Sequence, residues 1–273
     1  QEGKIKFVST EDTFSKFMDT IPADVDAAEY IKTPASYLAF MEFLNNTDYS
    51  EAGEEAVFDA MYEYSDNFLD HGGTLPSNAD DFFFNIDGDE EHAELYARHA
   101  DTIARMQAHR LERIPQEMEE KIAEFADEIR TVNDTEDTFE YDNSVHIPSY
   151  ATMSYLRTLN KIAAKTDGAL DVAPAYAAVR EKIVPQLLPQ DLPNQRKQEC
   201  FSLLTSIAKE CPDALSGMDD PAVEAAKYIV DRRSKDPRDG YYVTGMLAST
   251  LYDEKYAGVR LFDDEGKFSK AFQ

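Results

Sequence analysis

Apolar side chains recur at helical spacing along most of this sequence. The clearest segment begins at Ser50, where gaps of four, three and four residues separate four side chains: Val57, Met61, Tyr64 and Phe68. Such gaps place side chains on one face of an α-helix, whereas a strand repeats every two residues. Gly72 and Gly73 follow and are typical of a helix end. The spacing therefore predicts an amphipathic helix that stops just before these glycines.

The same period predicts helices on both sides of this segment. Thr33 and Pro34 provide an N-cap and a first-turn proline for a helix through Leu44. We expect a helix from about Glu90 to Ile114 and a second one starting at Pro115, which together would form an antiparallel hairpin. Further helices are expected in the second half of the chain, at Pro148 to Leu159, Tyr176 to Ile183, Phe201 to Cys211, Pro221 to Val230 and Tyr241 to Lys255.

These patterns predict a mainly α fold built from stacked helical hairpins, arranged as a bundle or as an irregular α-solenoid. No repeat of fixed length is present, so no named repeat class is indicated. The alternating segment Lys4 to Val8 predicts a short strand. A hairpin between Val259 and Lys270 is the expected partner of that strand, which would place short β-strands at the two termini.

Charge is distributed unevenly along the chain. There is no Lys or Arg between Thr33 and Leu95, and the whole sequence has 54 acidic and 27 basic residues, for a net charge of −27. Residues 1–147 hold 36 acids and 10 bases, whereas residues 148–273 hold 18 and 17. The acidic, unpatterned segment Thr131 to Asn143 lies where the charge changes. We therefore expect an acidic helical half, 1–147, and a near-neutral one, 148–273, or else one continuous domain.

The predicted helix after Ser50 carries carboxylates opposite its apolar face, at Glu55, Asp59, Glu63, Asp66 and Asp70. Like charges four residues apart each destabilise an isolated helix by a few tenths of a kcal/mol. Burial of one large apolar side chain contributes about 1.5 to 3 kcal/mol, so the helix tolerates this row without a partner. The five carboxylates are candidate partner-binding residues, although a halotolerant surface would look the same.

Aromatic residues also stand together in the loop before Glu90. Phe82, Phe83 and Phe84 are adjacent, so they cannot all face one way. They would form either a buried turn or an exposed anchor, and the buried turn is favoured because aromatic side chains under long loops usually belong to the core.

Histidines and clustered carboxylates are the candidate metal ligands. His92 and His99 share one helical side but lie about 10 Å apart along the axis, which is too far to chelate one ion. Asp87 and Asp89 suggest a calcium loop, but the EF-hand pattern fails because the required glycine position does not match. A looser calcium site built from Asp87, Asp89 and Glu90 is the alternative. Buried histidines and an acidic helix start explain the same residues, so no metal or other cofactor is predicted.

Sequence motifs for catalysis are missing from the chain. It contains no GxGxxG, no GxxxxGK[ST], no HExxH and no GxSxG. Cys200 and Cys211 lie in apolar rows, which favours inert thiols. Whether the protein is an enzyme stays open at this point, and the sequence leans against it.

The sequence says less about the cellular compartment and about the remaining surface of the protein. The chain begins at Gln1, as a processed or secreted form would, whereas two cysteines that cannot bridge within one helix favour a reducing compartment. No apolar run is long enough to span a membrane. The basic segment from Asp231 to Arg238 would bind an anion or would simply complement a helix C-terminus.

The function expected from the sequence is therefore an interaction or scaffold protein that presents an acidic surface to a basic protein partner or a larger assembly. Net negative charge repels nucleic-acid phosphates, so direct nucleic-acid binding is not expected. The alternative is a helical enzyme or small-ligand-binding protein with a site between helices, in which His92, His99 or His146 would assist through a metal. Oligomeric state is not predicted.

Overall fold

A computed structural model describes residues 5–6, 10–48, 55–84, 90, 92–135, 145–188, 191–235 and 251. Across these residues the chain is mainly helical, as the apolar spacing predicts. It separates into two compact units, Gln1–Ile114 and Pro115–Gln273. The change of charge after residue 147 lies further along the chain, and a domain boundary there stays a prediction.

The first unit consists of short and medium helices with one small parallel β-pair. Its elements are β1 (Ile5–Lys6), α1 (Thr10–Met18), α2 (Ala27–Tyr30), α3 (Pro34–Asn45), β2 (Thr47–Asp48), α4 (Glu55–Asp70), α5 (Asp80–Phe84), α6 (Ala93–Arg98) and the start of α7 (Ala100–Asp134). β1 pairs with β2 so that Ile5 lies opposite Thr47 and Lys6 opposite Asp48. The tail hairpin that the sequence pairs with the first strand lies outside the described residues.

Local signals at the ends of α3 and α4 act as predicted. The Thr33 hydroxyl oxygen accepts a hydrogen bond from the Ser36 amide at 3.3 Å, and Pro34 occupies the first turn. Gly72 ends α4 with a φ of 74°, a conformation that glycine adopts without steric cost. A Cβ atom added at Gly73 would lie 2.3 Å from the Phe68 ring, so only glycine fits there.

Aromatic rings form the core of the first unit. Phe40 stacks on Tyr64 with centroids 3.6 Å apart, and Phe17 meets Phe40 edge to face at 5.0 Å. Such ring pairs contribute about 0.5 to 1.5 kcal/mol beyond the area they bury. Phe83 and Phe84 are also buried, which confirms the expected burial for these two rings, although they lie in the helix α5 and not in a loop. The side chain of Phe82 lies outside the described part of the chain.

One predicted hairpin is instead a single helix. α7 runs without a break from Ala100 to Asp134 and contains Pro115 in its interior. The expectation that Pro115 begins a new helix is therefore wrong. Proline removes only its own N–H bond, to the carbonyl of Leu111, and Pro115 is exposed, so the apolar stripe on both sides of it keeps the helix together. The predicted linker from Thr131 is helical as far as Asp134.

The second unit contains the rest of α7 and a group of helices around a central one. Its further elements are α8 (Ser149–Lys165), α9 (Ala173–Ala178), a π-helical turn (Val179–Ile183), a 3₁₀ turn (Val184–Leu187), α10 (Asn194–Glu210), a second 3₁₀ turn (Pro212–Leu215) and α11 (Pro221–Lys235). α10 packs against α8, α11 and the first 3₁₀ turn. The predicted helix from Tyr241 to Lys255 falls on residues of which only Leu251 is described.

Side chains also hold the turns of the second unit. The Tyr176 hydroxyl donates to Asn160 Oδ1 at 2.7 Å, and Asn160 Nδ2 donates to the Glu210 carbonyl at 3.1 Å. Arg180 donates to three carbonyls around Pro212–Leu215: Asp213, Ala214 and Ser216. These contacts supply side-chain donors to carbonyl groups at the helix ends and in the turn that follows α10. None of the helices that the structure describes is long and apolar enough to cross a membrane.

Candidate functional site

The acidic face of α4 is bridged at both ends by arginines. Arg98 Nη2 lies 3.3 Å from Glu55 Oε2 and 3.3 Å from Asp59 Oδ1. Arg105 donates through Nη1 to Asp66 and through Nη2 to Asp70 Oδ1, the latter at 2.8 Å. The hydrogen bonds that Arg98 donates to Glu55 and Arg105 donates to Asp70 raise the pKa of the two arginines, because they stabilise the charged guanidinium. Four of the five predicted carboxylates therefore have a partner within the chain.

Glu63 is the member of the row without such a bridge. It is exposed, and none of the described lysines or arginines forms an ion pair with it. The bridged carboxylates also stay accessible, since the side chains of Glu55, Asp66 and Asp70 are 70%, 38% and 60% exposed. We call these five carboxylates, with Arg98 and Arg105, the charged seam. It lies along the face of α4 that meets α6 and α7.

The bridging arginines follow a spacing that is visible in the sequence. Arg98 and Arg105 are seven residues apart, as are Asp59 and Asp66. Seven residues make about two turns of α4, so Asp59 and Asp66 lie on the same side of that helix, whereas Arg98 ends α6 and Arg105 lies in α7. The sequence does not show which arginine meets which carboxylate, because the partners are about forty positions apart along the chain.

His99 belongs to the same region and is held on two sides. Its Nε2 lies 2.6 Å from Asp59 Oδ1, and its ring stacks on Tyr62 with centroids 4.9 Å apart. A carboxylate contact of this kind orients an imidazole ring. His92 packs instead near the rings of Phe58 and Tyr96, at 5.3 and 6.3 Å.

The candidate metal ligands are not brought together among the described residues. That part of the chain contains no group of three or more His, Cys, Asp or Glu side chains that could hold a metal ion. Asp87 and Asp89 lie outside it, so the calcium alternative stays a prediction. In the second unit, His146 Nδ1 lies 2.5 Å from Glu199 Oε1, and Glu199 Oε2 accepts a hydrogen bond from Arg196 at 2.7 Å.

Among the described residues, the most deeply buried charge is one that the sequence analysis missed. Arg110, with its side chain 1% exposed, donates through Nε and Nη2 to both oxygens of Asp80, at 2.5 and 3.1 Å. Its Nη1 also donates to the Leu75 carbonyl at 3.4 Å. The sequence does contain a signal for this buried arginine, because Arg110 interrupts the apolar stripe of α7 between Met106 and Ile114. The pair fastens α5 to α7.

Both cysteines are buried, as their apolar rows predict. Burial raises the pKa of the Cys200 thiol to about 12, and burial likewise raises the pKa of Cys211. A thiol attacks as the thiolate, so neither residue is activated as a nucleophile at neutral pH.

The basic segment at the end of α11 begins with an ion pair within the helix, since Lys235 Nζ donates a hydrogen bond to Asp231 Oδ2 at 2.6 Å.

Described residues of the first unit line two cavities. One of about 530 Å³ lies between α1, the loop after it and α3, and it is lined mainly by apolar side chains such as Phe17, Ile21 and Phe43. The other, of about 470 Å³, is more polar and is lined by Arg105, His109 and other residues. We call the first cavity the α1–α3 groove.

Searches against protein-family models, curated proteins and solved structures gave no match to this chain.

Proposed function

We propose that this chain is a helical interaction or scaffold protein whose first unit presents the charged seam to a basic protein partner. The observation that carries the proposal is the imbalance within the seam, which has five carboxylates against two arginines. Internal pairing therefore leaves an excess of negative charge on an exposed face. A partner with lysines or arginines at matching spacing would complete the pairing.

Glu63 is the centre of this proposed contact. It lies between the carboxylates bridged by Arg98 and those bridged by Arg105 along α4. A carboxylate has about four lone-pair positions, so the bridged oxygens can also accept further hydrogen bonds from a partner. Exposed charges of this kind mainly increase the association rate and set which partner binds, and they contribute less to the final affinity.

Scaffold proteins of this class often use rows of helices as a docking surface. Medium-length helices joined by short turns support a stacked-hairpin arrangement, as a bundle or an irregular solenoid, and we include that arrangement in the proposal. The excess of acidic residues before residue 148 would then direct basic partners to the first half of the chain.

Charge reversal at one position tests this proposal against a matched control. Basic proteins that co-purify with the full chain would be compared for wild type, Glu63→Lys and Glu181→Lys, at about 0.05 M and about 0.3 M salt. Both substitutions change the net charge equally, but Glu181 is an exposed residue of the second unit. We expect Glu63→Lys to lose the partner and Glu181→Lys to retain it, with weaker retention at high salt.

Two results would contradict the proposal. Equal loss of the partner in both variants would mean that only the net charge matters and that the seam is not a specific surface. Retention that does not fall with salt would mean that charge is not what holds the partner.

A further inference from the structure

The α1–α3 groove leaves apolar surface open on the same unit that carries the charged seam. Its base contains Phe17, which is 3% exposed, with Phe43 edge to face against it at a centroid distance of 5.7 Å. Val25, on the rim, is 39% exposed. Its volume of about 530 Å³ lies within the range of pockets that bind organic groups, roughly 300 to 1,000 Å³.

Exposed apolar side chains are few in the first unit, and one of them lines this groove. Among the described residues of that unit, only Val25 and Leu38 are large apolar side chains with substantial exposure. Leu38 lies on α3, one helical turn before Glu42. Glu42 lines the groove, as Val25 does. An apolar cavity of this size with an exposed apolar side chain on its rim has room for a side chain of a partner.

The charge around the groove indicates what kind of segment would enter it. Glu42 is exposed, and its carboxylate has no ion-pair partner among the described residues. Asp19 and Asp24 are exposed directly beside the lining residues Thr20 and Val25. None of the described residues that line the groove is a lysine or an arginine. An entering segment with basic residues on both sides of an apolar side chain would match this arrangement.

We propose that the α1–α3 groove receives an apolar side chain of the basic partner, with flanking Lys or Arg residues of that partner contacting Glu42, Asp19 and Asp24. This inference rests on the proposed function and adds a second contact to it. The groove supplies the apolar anchor, and the acidic rim selects a basic sequence around that anchor. Amphipathic segments bind grooves in this way when large side chains on one face enter the cavity.

Binding of a peptide to the groove can be measured by tryptophan fluorescence. It contains no tryptophan, so the emission of a tryptophan in an added peptide reports on the peptide alone. The probe is a synthetic amphipathic peptide with one Trp flanked by lysines, added to the full 273-residue chain. Two control peptides have Ser in place of Trp or Glu in place of the lysines.

Three variants separate the groove from the seam. Ala39→Leu fills the groove without changing charge, Glu42→Gln removes its acidic lining residue, and Glu63→Gln changes the seam by the same charge. We expect a blue shift of the Trp emission with wild type, about tenfold weaker binding with Ala39→Leu and Glu42→Gln, and nearly unchanged binding with Glu63→Gln. Far-ultraviolet circular dichroism checks that each variant is folded.

Other outcomes would overturn the inference in distinguishable ways. If the Ser-substituted peptide binds as tightly as the Trp peptide and only Glu63→Gln weakens it, the groove is not used and the charged seam alone binds the partner. If the Glu-substituted Trp peptide binds equally well, the groove takes an uncharged apolar ligand and not a basic segment. If wild type dimerises and Ala39→Leu is monomeric, the occupant is a second copy of the chain.

Discussion

Several charged and hydroxyl-bearing side chains of this protein are buried away from solvent. Arg110 and Asp80 are an example, since both are buried and are joined by two hydrogen bonds. Removing two ions from water costs about as much as their attraction returns, so such a pair adds little net stability. Breaking it is different, because one charge is then left buried without its counter-ion.

Asp80→Asn is therefore expected to lower the free energy of unfolding by about 3 to 5 kcal/mol in urea titrations. Glu119→Gln is the control, because it removes an exposed ion pair with Lys182 at 3.3 Å, whose loss should cost less than about 1 kcal/mol. Equal effects of the two substitutions would show that Arg110 finds sufficient solvent or other acceptors without Asp80.

A buried hydroxyl chain in the first unit has a defined direction. Ser65 Oγ donates to the Met61 carbonyl at 2.7 Å, and its single proton is then used. The Tyr37 hydroxyl, 3.0 Å away, must therefore be the donor to Ser65. Burial raises the pKa of Tyr37 above its ordinary value, and the contact with Ser65 lowers it only in part.

This raised pKa gives a pH dependence with a definite sign. A group that binds its proton more tightly in the folded state contributes stability below its ordinary pKa and loses it as the pH rises toward the folded value. We expect the free energy of unfolding to fall between about pH 9 and pH 11, and to fall less in Tyr37→Phe. Urea titrations at both pH values measure this difference, and an equal decline in wild type and Tyr37→Phe would contradict it.

At the scale of elements, α7 is maintained by its buried stripe despite a proline in its interior. Pro115 deprives Leu111 of a helical hydrogen bond, and interior prolines destabilise helices by about 3 kcal/mol. Four apolar residues on one side of the helix compensate for it: Met106, Ile114, Met118 and Ile122 are all buried. Burial of these side chains therefore outweighs the low helix propensity of Pro115.

Pro115→Ala should consequently stabilise the protein, by about 1 to 3 kcal/mol, because it restores an amide donor at an exposed position. Gln116→Ala is a suitable control, since it changes a neighbouring exposed residue without altering the backbone donors, and we expect a shift of less than about 0.5 kcal/mol. A loss of stability in Pro115→Ala would show that the helix relies on a bend at this position.

Over the whole molecule, repulsion among carboxylates opposes compaction. The net charge is −27, and the ion pairs of the charged seam offset only a small part of it. Dissolved salt screens exposed charges beyond about 10 Å at 0.1 M, whereas close contacts are screened less. The long-range repulsion should therefore weaken before the paired contacts do.

We expect the midpoint of urea unfolding to rise when sodium chloride is increased from about 0.02 M to about 0.3 M. The cause is distinguished by repeating the titration near the calculated pI of about 4.4, where the net charge vanishes and the effect of salt should be much smaller. A midpoint that falls with salt at neutral pH would mean that local ion pairs outweigh the repulsion.

The sequence by itself determined the helical class, the cap at Thr33, the stop at Gly72 and the burial of the cysteine rows. These follow from contacts within a few residues, where the period of 3.6 and the chemistry of helix ends apply directly. The five carboxylates of α4 were also found this way, because their spacing is local. Their use as a partner surface stays a proposal.

Only the tertiary structure decided which groups the local elements bring together. It paired Arg98 and Arg105 with carboxylates about forty positions earlier, buried Arg110 against Asp80, kept α7 continuous through Pro115 and formed the α1–α3 groove. Such pairings depend on which helical faces pack against each other. That choice is made by the sum of many buried contacts between distant segments, which no local period encodes.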